Sequence, residues 1–291
     1  MSVGMSVGNG RAVVITGAST GIGAACALHL DRLGFLVFAG VRKVQDGEAL
    51  QRQGGNRLVP LILDVTDAAS IQQSRTIVSE RVGNHGLFGL VNNAGIAVVG
   101  PLEAVPIPDL RRQLEINLIG QVAVIQAFLP LIRKARGRIV NMGSIAGRAA
   151  MPLMGPYSAS KFALEAITDA LRLEVRQWGI EVSIVEPGAI ATPIWDKSGK
   201  GATDLEAATT PELRALYAGV IAGVKKVVGE AAKRAIAPDA VAQAVEHALT
   251  AARPKTRYLV GADAKFRALM VKLLPDQALD KILSWVLKLP Q

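Results

Sequence analysis

The chain has 291 residues, half of them hydrophobic and about a fifth charged, with one cysteine and a formal net charge of +9. That balance suits one large α/β domain with a well-buried core and excludes long disorder. The lone Cys26 excludes an internal disulfide and a zinc cluster, so no metal site is expected and a reducing, cytoplasmic setting is.

Residues 1–10 open on a repeated Met-Ser-Val-Gly without a basic segment or an apolar core, and read as a tail rather than a signal peptide. Ala12-Val13-Val14-Ile15 reads as a buried strand, followed by a glycine turn and a helical run from Ala24 to Leu33. Phe35 to Ala39 is the second strand and Leu58 to Leu63 the third. Asp67 begins a polar-faced helix, and Leu87 to Val91 gives the fourth strand. Pro108 to Leu131 reads as helix with a break near Gly120. Arg138 to Met142 is the fifth strand, Pro156 to Trp178 a long helix, Glu181 to Val185 the sixth strand and Arg257 to Val260 a seventh. No stretch has the uncharged apolar length of a bilayer span, which predicts a soluble or at most peripheral protein.

Strands that are apolar throughout and alternate with helices imply a parallel sheet covered on both faces. The chain therefore divides into the tail at 1–10, one doubly wound domain at 11–262 with a helical insertion at 192–235, and amphipathic helices at 263–291. Neither an internal repeat nor a Pro/Ser-rich linker interrupts it.

Between the first strand and first helix lies Thr16-Gly17-Ala18-Ser19-Thr20-Gly21-Ile22-Gly23. Gly17 allows a tight turn, Gly21 lets backbone approach a pyrophosphate, and Gly23 permits close helix–strand packing, with the helix N-terminus aimed at the anion. In this strand–turn–helix context the loop predicts dinucleotide binding. The second strand ends on Ala39-Gly40-Val41-Arg42-Lys43, with no acid to hold free ribose hydroxyls. Arg42 and Lys43 are suited to a 2′-phosphate, so NADP(H) is preferred and NAD(H) is the alternative.

Tyr157 and Lys161 lie four residues apart at the start of the long helix and share one face. A phenol near an ammonium and an oxidised nicotinamide is expected to titrate below its ordinary pKa near 10 and to exchange a proton with an alcohol or carbonyl. Ser144, just beyond the fifth strand, is placed to hydrogen-bond the same oxygen. The Tyr–Lys spacing alone is common on helix surfaces; its neighbours give it meaning.

With those neighbours the chain resembles the short-chain dehydrogenase/reductase family. The matching residues are Thr16-Gly17-x-x-x-Gly21-x-Gly23, Asn92-Asn93-Ala94-Gly95, Asn117, Ser144, Tyr157-x-x-x-Lys161, and Pro187-Gly188 with Thr192, in the family's order. The resemblance implies a single-domain Rossmann-type fold and an oxidoreductase interconverting a secondary alcohol and a ketone. It implies Tyr157 as general acid/base, Ser144 as orienter of the substrate oxygen, Lys161 as ribose holder and tuner of Tyr157, and Asn117 as support for a water chain to Lys161. It further implies adenine contacts at Asp64 and Val65, a cleft lined by Asn93, Ala94 and Gly95, and nicotinamide contacts from Pro187, Gly188, Ile190 and Thr192. Long helices of this kind resemble those that build the family's dimers and tetramers, so a homodimer or homotetramer is expected. A catalytically silent cofactor-binding protein, or an epimerase or dehydratase on the same fold, are the alternatives.

Several stretches resemble the retinol and 17β-hydroxysteroid dehydrogenase branch, among them Gly89 to Ile96, Arg133 to Asn141 and Val182 to Gly188. The segments expected to face substrate, Ala146 to Pro156 and Thr192 to Ala235, contribute Met151, Leu153, Met154, Ile194, Trp195, Leu205, Leu213, Leu216 and Tyr217. This apolar set suits a steroid, retinoid or bulky ketone. Gly199, Gly201, Gly219 and Gly223 make the second segment a candidate lid.

The last third is basic, with 12 Lys/Arg against 6 Asp/Glu from Lys225 onward. No nucleic-acid motif accompanies that charge, and no nucleic-acid partner is expected. Leu279, Ile282, Leu283, Val286 and Leu287 form a helical apolar stripe. It reads either as packing on the domain or another subunit, or as a basic amphipathic helix in peripheral contact with a membrane.

Overall fold

A computed structural model describes residues 7–195, 199, 201, 203, 205, 207 and 209–289; positions 1–6 of the expected tail and parts of the expected lid lie outside the described residues. The strands are β1 (Ala12–Ile15), β2 (Leu36–Val41), β3 (Leu58–Ile62), β4 (Gly89–Asn92), β5 (Arg138–Met142), β6 (Glu181–Pro187) and β7 (Arg257–Val260). All pair in parallel in the order β3-β2-β1-β4-β5-β6-β7. The order reverses between β1 and β4, which opens a crevice at their carboxyl ends where ligands of doubly wound sheets bind.

Before β7 the described residues include the helices α1 (Gly21–Arg32), α2 (Val44–Gln51), α3 (Ala68–Val82), α4 (Ile107–Leu114), α5 (Gly120–Ala135), α6 (Gly155–Val175), α7 (Pro211–Lys233) and α8 (Asp239–Thr250). Alternate strand residues point to opposite layers. Val13, Ile15, Val37 and Ala39 pack with Cys26, Ala27 and Leu30 of α1 and Val241, Val245 and Leu249 of α8. Val14, Phe38, Leu90 and Ile139 pack with Ile71 and Val78 of α3 and Val124, Phe128 and Ile132 of α5. Burial on both faces is why the strands read as unbroken apolar runs. The start of α3 is fixed by Asp67, whose Oδ1 accepts a hydrogen bond from the Ala69 N–H at 2.9 Å.

After β7 the chain forms α9 (Ala262–Leu273) and α10 (Asp276–Leu287). Two features depart from the sequence reading. α2 is an additional helix in a stretch whose Gln45, Asp46, Gly47 and Glu48 hide its period. The break expected near Gly120 does not occur: α4 runs through a π-helical turn, Glu115–Ile119, directly into α5. Gly120 instead marks a close approach, since a Cβ there would stand 2.5 Å from the Val65 carbonyl oxygen.

The continuous helix, Ile107–Ala135, is long and apolar enough by length and composition to cross a membrane, contrary to the expectation that no stretch would be. Its inward side carries buried Gln113, Asn117, Gln121, Val124 and Phe128, and it is packed against the sheet.

Gly120→Ala is expected to lower stability by about 1–3 kcal/mol, because the added methyl must displace backbone on the β3 side. Urea denaturation measures this, and an unchanged midpoint would show that the contact has slack.

Candidate active site

The crevice between β1 and β4 is held open by a small polar frame. Thr16 Oγ1 accepts hydrogen bonds from the Asn93 N–H at 2.9 Å and the Ala94 N–H at 3.0 Å. Asn93 Nδ2 donates to the carbonyls of Thr16 and Gly17, both at 3.0 Å. Gly17 and Gly21 take φ of +65° and +59°, the left-handed region that favours glycine. A Cβ on Gly17 would stand 2.7 Å from Ala94 Cα, and one on Gly23 would run into the Gly17 carbonyl and the Asn93 amide. These contacts make the glycine loop a cradle of bare backbone at the start of α1, the shape and polarity that a pyrophosphate requires.

The cradle opens into a cavity of about 1400 Å³. Ser19, Thr20, Gly21 and Ile22 line it beside Gly17, as do Arg42, Lys43, Asp64, Val65, Asn93, Ala94 and Gly95. Gly23 supports the cradle from below instead. Arg42 and Lys43 stand exposed at the end of β2 and the start of α2, with Asp46 one turn further on the same rim. The Asp64 carboxylate accepts from the Thr66 N–H at 2.9 Å and hydroxyl at 2.8 Å, which fixes the loop after β3. Size, glycine cradle and basic rim fit a nicotinamide dinucleotide.

Ser144, Tyr157 and Lys161 reach the same cavity from β5 and α6. Ser144 Oγ accepts from the Ala146 N–H at 3.1 Å and is hydrogen-bonded to the Tyr157 side chain. Lys161 is 4% exposed, and its Nζ donates to the Met142 carbonyl at 2.7 Å, 5.8 Å from the centre of the Tyr157 ring. Burial pushes the lysine down to about 8, opposed by the nearby Glu165 carboxylate.

Burial also pushes the Tyr157 phenol up, with the Ser144 hydrogen bond pulling the other way. The lowering expected from the Tyr–Lys pair is therefore not produced by the chain's own groups. The ammonium is turned to the Met142 carbonyl and does not offset the cost of desolvating a phenolate.

Asn117 does not line the cavity. It sits fully buried in the π turn, where the wider helical ring aims its amide at the loop after β4. Oδ1 accepts from the Ile96 N–H at 2.9 Å, and Nδ2 donates to the Ile96 carbonyl at 3.0 Å and to Ser160 Oγ at 3.2 Å. Ser160 Oγ in turn donates to the Tyr157 carbonyl at 2.7 Å. Its contacts thus run through Ser160 to the backbone of Tyr157 rather than to Lys161. Gln113 works beside it, accepting from the Val98 N–H at 2.6 Å and donating to the Ile96 carbonyl at 3.0 Å. Gln113 belongs to no recognisable motif, and Ser160 falls on one of the unspecified positions of Tyr157-x-x-x-Lys161.

Pro187, Gly188, Ile190 and Thr192 line the cavity opposite the cradle, with Thr192 against Gly21. This loop is held by a residue that the sequence reading missed, Asp263 of α9. Its Oδ2 accepts from the Ala189 N–H at 2.8 Å, and a Cβ at Gly188 would overlap the carboxylate. One turn on, Arg267 donates to the Ala149 carbonyl at 2.8 Å. α9 thereby ties the loop after β6 to the loop after β5. Only tertiary structure brings Asp263 to Gly188; no local signal announces it.

The far wall is apolar. Met151, Leu153, Met154, Ile194, Trp195, Leu205, Leu213 and Tyr217 line it as expected, whereas Leu216 is exposed outside it. Phe266 and Met270 of α9 and Leu279, Leu283 and Leu287 of α10 complete the wall. Of the C-terminal stripe, Leu287 is buried, Leu279 and Leu283 are half-buried and Ile282 and Val286 are exposed, so it packs on the domain only in part; Leu269, Leu273 and Trp285 are exposed and lie outside the lining. Among the described residues no group of three or more His, Cys, Asp or Glu side chains could hold a metal ion.

Residues 11–203 match the family model described as short chain dehydrogenase. Retinol dehydrogenase 5 of Mus musculus is 40% identical over 96% of this chain and 89% of its own. An NADPH-dependent 3-dehydrocapnine reductase of Ornithobacterium rhinotracheale is 37% identical over 94% of this chain and 95% of its own. Among solved structures, a short-chain dehydrogenase from Streptomyces avermitilis superposes with a TM-score of 0.75 at 28% identity, covering 99% of this chain and 97% of that one. One from Burkholderia cenocepacia, in complex with NADP, gives 0.72 at 27% identity and covers 94% and 97%.

Asp263→Ala leaves the Ala189 N–H without its acceptor and frees the loop after β6. It is expected to cost about 1–3 kcal/mol of stability and to weaken cofactor binding roughly tenfold. Calorimetric melting and cofactor titration check the two effects; a loss of stability with unaltered cofactor affinity would confine Asp263 to the scaffold.

Proposed function

The chain belongs to the short-chain dehydrogenase family, in its retinol dehydrogenase branch, and from that premise we propose that it interconverts a secondary alcohol and a ketone on a lipophilic substrate, with Tyr157 as general acid/base and NADP(H) as preferred cofactor. It is an oxidoreductase of a family that takes nicotinamide cofactors. The observation that carries the proposal is the meeting of the hydrogen-bonded Ser144–Tyr157 pair and buried Lys161 with the glycine cradle in one cavity.

The nicotinamide, when bound, supplies or accepts the hydride. In reduction Tyr157 gives its phenolic proton to the substrate oxygen, and in oxidation it takes that proton back. A neutral phenol held by burial at the working pH suits the donating role. Ser144 hydrogen-bonds the same oxygen and keeps the phenol aligned. Lys161 would hold the ribose of the bound cofactor, and its charge favours the phenolate once the proton has left. Asn117 and Ser160 fix the backbone from which Tyr157 projects.

Arg42 and Lys43 on the cradle's rim support a 2′-phosphate, in keeping with the NADPH dependence in the bacterial relative's name and the NADP bound to a structural neighbour. The apolar far wall supports a steroid, retinoid or other bulky ketone. In the same reading, exposed Leu269, Leu273 and Trp285 near Lys265, Lys272 and Lys288 support peripheral contact with an anionic membrane.

Nicotinamide absorbance with a panel of steroids, retinoids and small ketones tests the reaction. Tyr157→Phe is expected to keep cofactor affinity and lose roughly 100-fold or more in turnover. Full activity in that variant would remove Tyr157 from the chemistry, and substrate conversion without net cofactor turnover would favour an epimerase or dehydratase.

For cofactor choice, Arg42→Ala should weaken NADPH roughly tenfold while leaving NADH nearly unaltered. Equal effects on both would make Arg42 a bystander.

A further inference from the structure

α6 carries Tyr157, Lys161, Glu165 and Asp169 at a four-residue spacing, so the face that bears the acid/base pair continues into two carboxylates. Glu165 is buried and Glu186, on β6 next to Pro187, is wholly so. Glu165 Oε1 and both oxygens of Glu186 are buried without a hydrogen-bond partner, and the two carboxyl groups meet at the Arg257 Nε, 3.2 Å from Glu165 Oε2 and 3.4 Å from Glu186 Oε1.

Charged groups from every neighbouring element face this pair. Arg148, after β5, places Nε 3.2 Å from Glu186 Oε1. Arg257 of β7 places Nε 3.4 Å from that same oxygen and Nη2 3.1 Å from Glu165 Oε2. Arg257 Nη2 also lies 2.6 Å from Asp169 Oδ2, and Arg172 Nη1 lies 2.8 Å from Asp169 Oδ1. On the other side stands the Lys161 ammonium, one helical turn from Glu165 and held up by its charge.

The guanidinium groups are matched to carboxylates in an ordinary way; two buried carboxyl groups meeting at one guanidinium nitrogen are not. Buried like charges so close resist ionising together. Burial first, and then Glu186, raise Glu165 to about 7, against the pull of Arg257 and Arg148.

We propose that Glu165, crowded by the buried Glu186 carboxylate, is a proton-holding positioning residue that sets the charge state of Lys161 one turn away. When Glu165 releases its proton to solvent, it becomes the counter-charge that keeps Lys161 an ammonium in a nearly dry site. When Glu165 holds the proton, Lys161 loses that support and gives up its own proton more readily. The significance for turnover rests on the role proposed above for Lys161; the electrostatic coupling does not.

Two measurements on the full chain without cofactor test the coupling. The first is thermal stability against pH. The folded chain keeps a proton that the unfolded chain releases above about pH 4.3, the ordinary value for glutamate. Stability contributed by this group therefore falls as pH rises from that point through about 7. Glu165→Gln and Glu186→Gln should each flatten that slope.

The second is the titration of Lys161, followed by its 13Cε resonance in lysine-labelled protein and assigned by its loss in Lys161→Met. The wild-type midpoint is expected at about 8. Glu165→Gln should lower it by about half a unit or more, whereas Glu186→Gln, which frees Glu165 to ionise, should leave it in place or raise it. A midpoint unmoved by Glu165→Gln, or moved equally downward by both variants, overturns the proposal, as does a stability slope that both variants retain. Should Glu165→Gln fail to fold, a lowered midpoint in Glu186→Gln would overturn it alone. Coupling found together with full activity in Tyr157→Phe would sink the catalytic reading and leave the pair standing.

Discussion

Lys161 places an ammonium almost out of reach of water, and a buried cation demands both a lone pair and a counter-charge. The Met142 carbonyl at the end of β5 provides the first and Glu165 the second. Glu165 then needs compensation of its own, which comes from Arg257 at the sheet edge, and Arg257 is shared with Glu186 and Asp169. One desolvated charge thus accounts for a chain of polar contacts running from α6 across β6 to β7. The same burial explains why Tyr157 is held as a phenol by its surroundings rather than pre-ionised by the lysine.

A second frame, built from amides and hydroxyls, holds the other half of the site. Thr16, Asn93, Asn117, Gln113 and Ser160 satisfy loop backbone that a sheet-end crevice would otherwise leave bare. These side chains are neutral, so they pin loop positions without adding charge near the phenol.

The strands were readable in the sequence because burial on both faces leaves few polar residues to interrupt them, and β1, β5 and β7 have the ends that their apolar runs suggest. The glycine cradle was readable because steric freedom at φ above zero has a residue-level signature in Gly17 and Gly21. α2 was not, because eight residues with a glycine and several polar side chains show no clear period. The π turn was hidden for a different reason: it changes hydrogen-bond geometry while Glu115 to Ile119 remain ordinary helix formers. Asp263, and the cavity wall made by α9 and α10, depend on where distant segments dock, which no local pattern encodes. Tyr157 shows the limit for chemistry. Its spacing from Lys161 identifies the pair, but the sign of its pKa shift is decided by burial that spacing does not report.

Arg257, Asp263 and Arg267 all lie late in the chain, yet they brace the pair beside Lys161 and the loops on both sides of the cavity. During synthesis the glycine cradle and Tyr157 emerge long before these braces do, and a domain generally folds as a unit. Until β7 and α9 have emerged, the loop after β6 is therefore untethered and Glu165 lacks its guanidinium. Completion of the polypeptide, rather than arrival of the reactive side chains, becomes the event that assembles the site, and a translation product stopped short of β7 would carry the tyrosine without its setting.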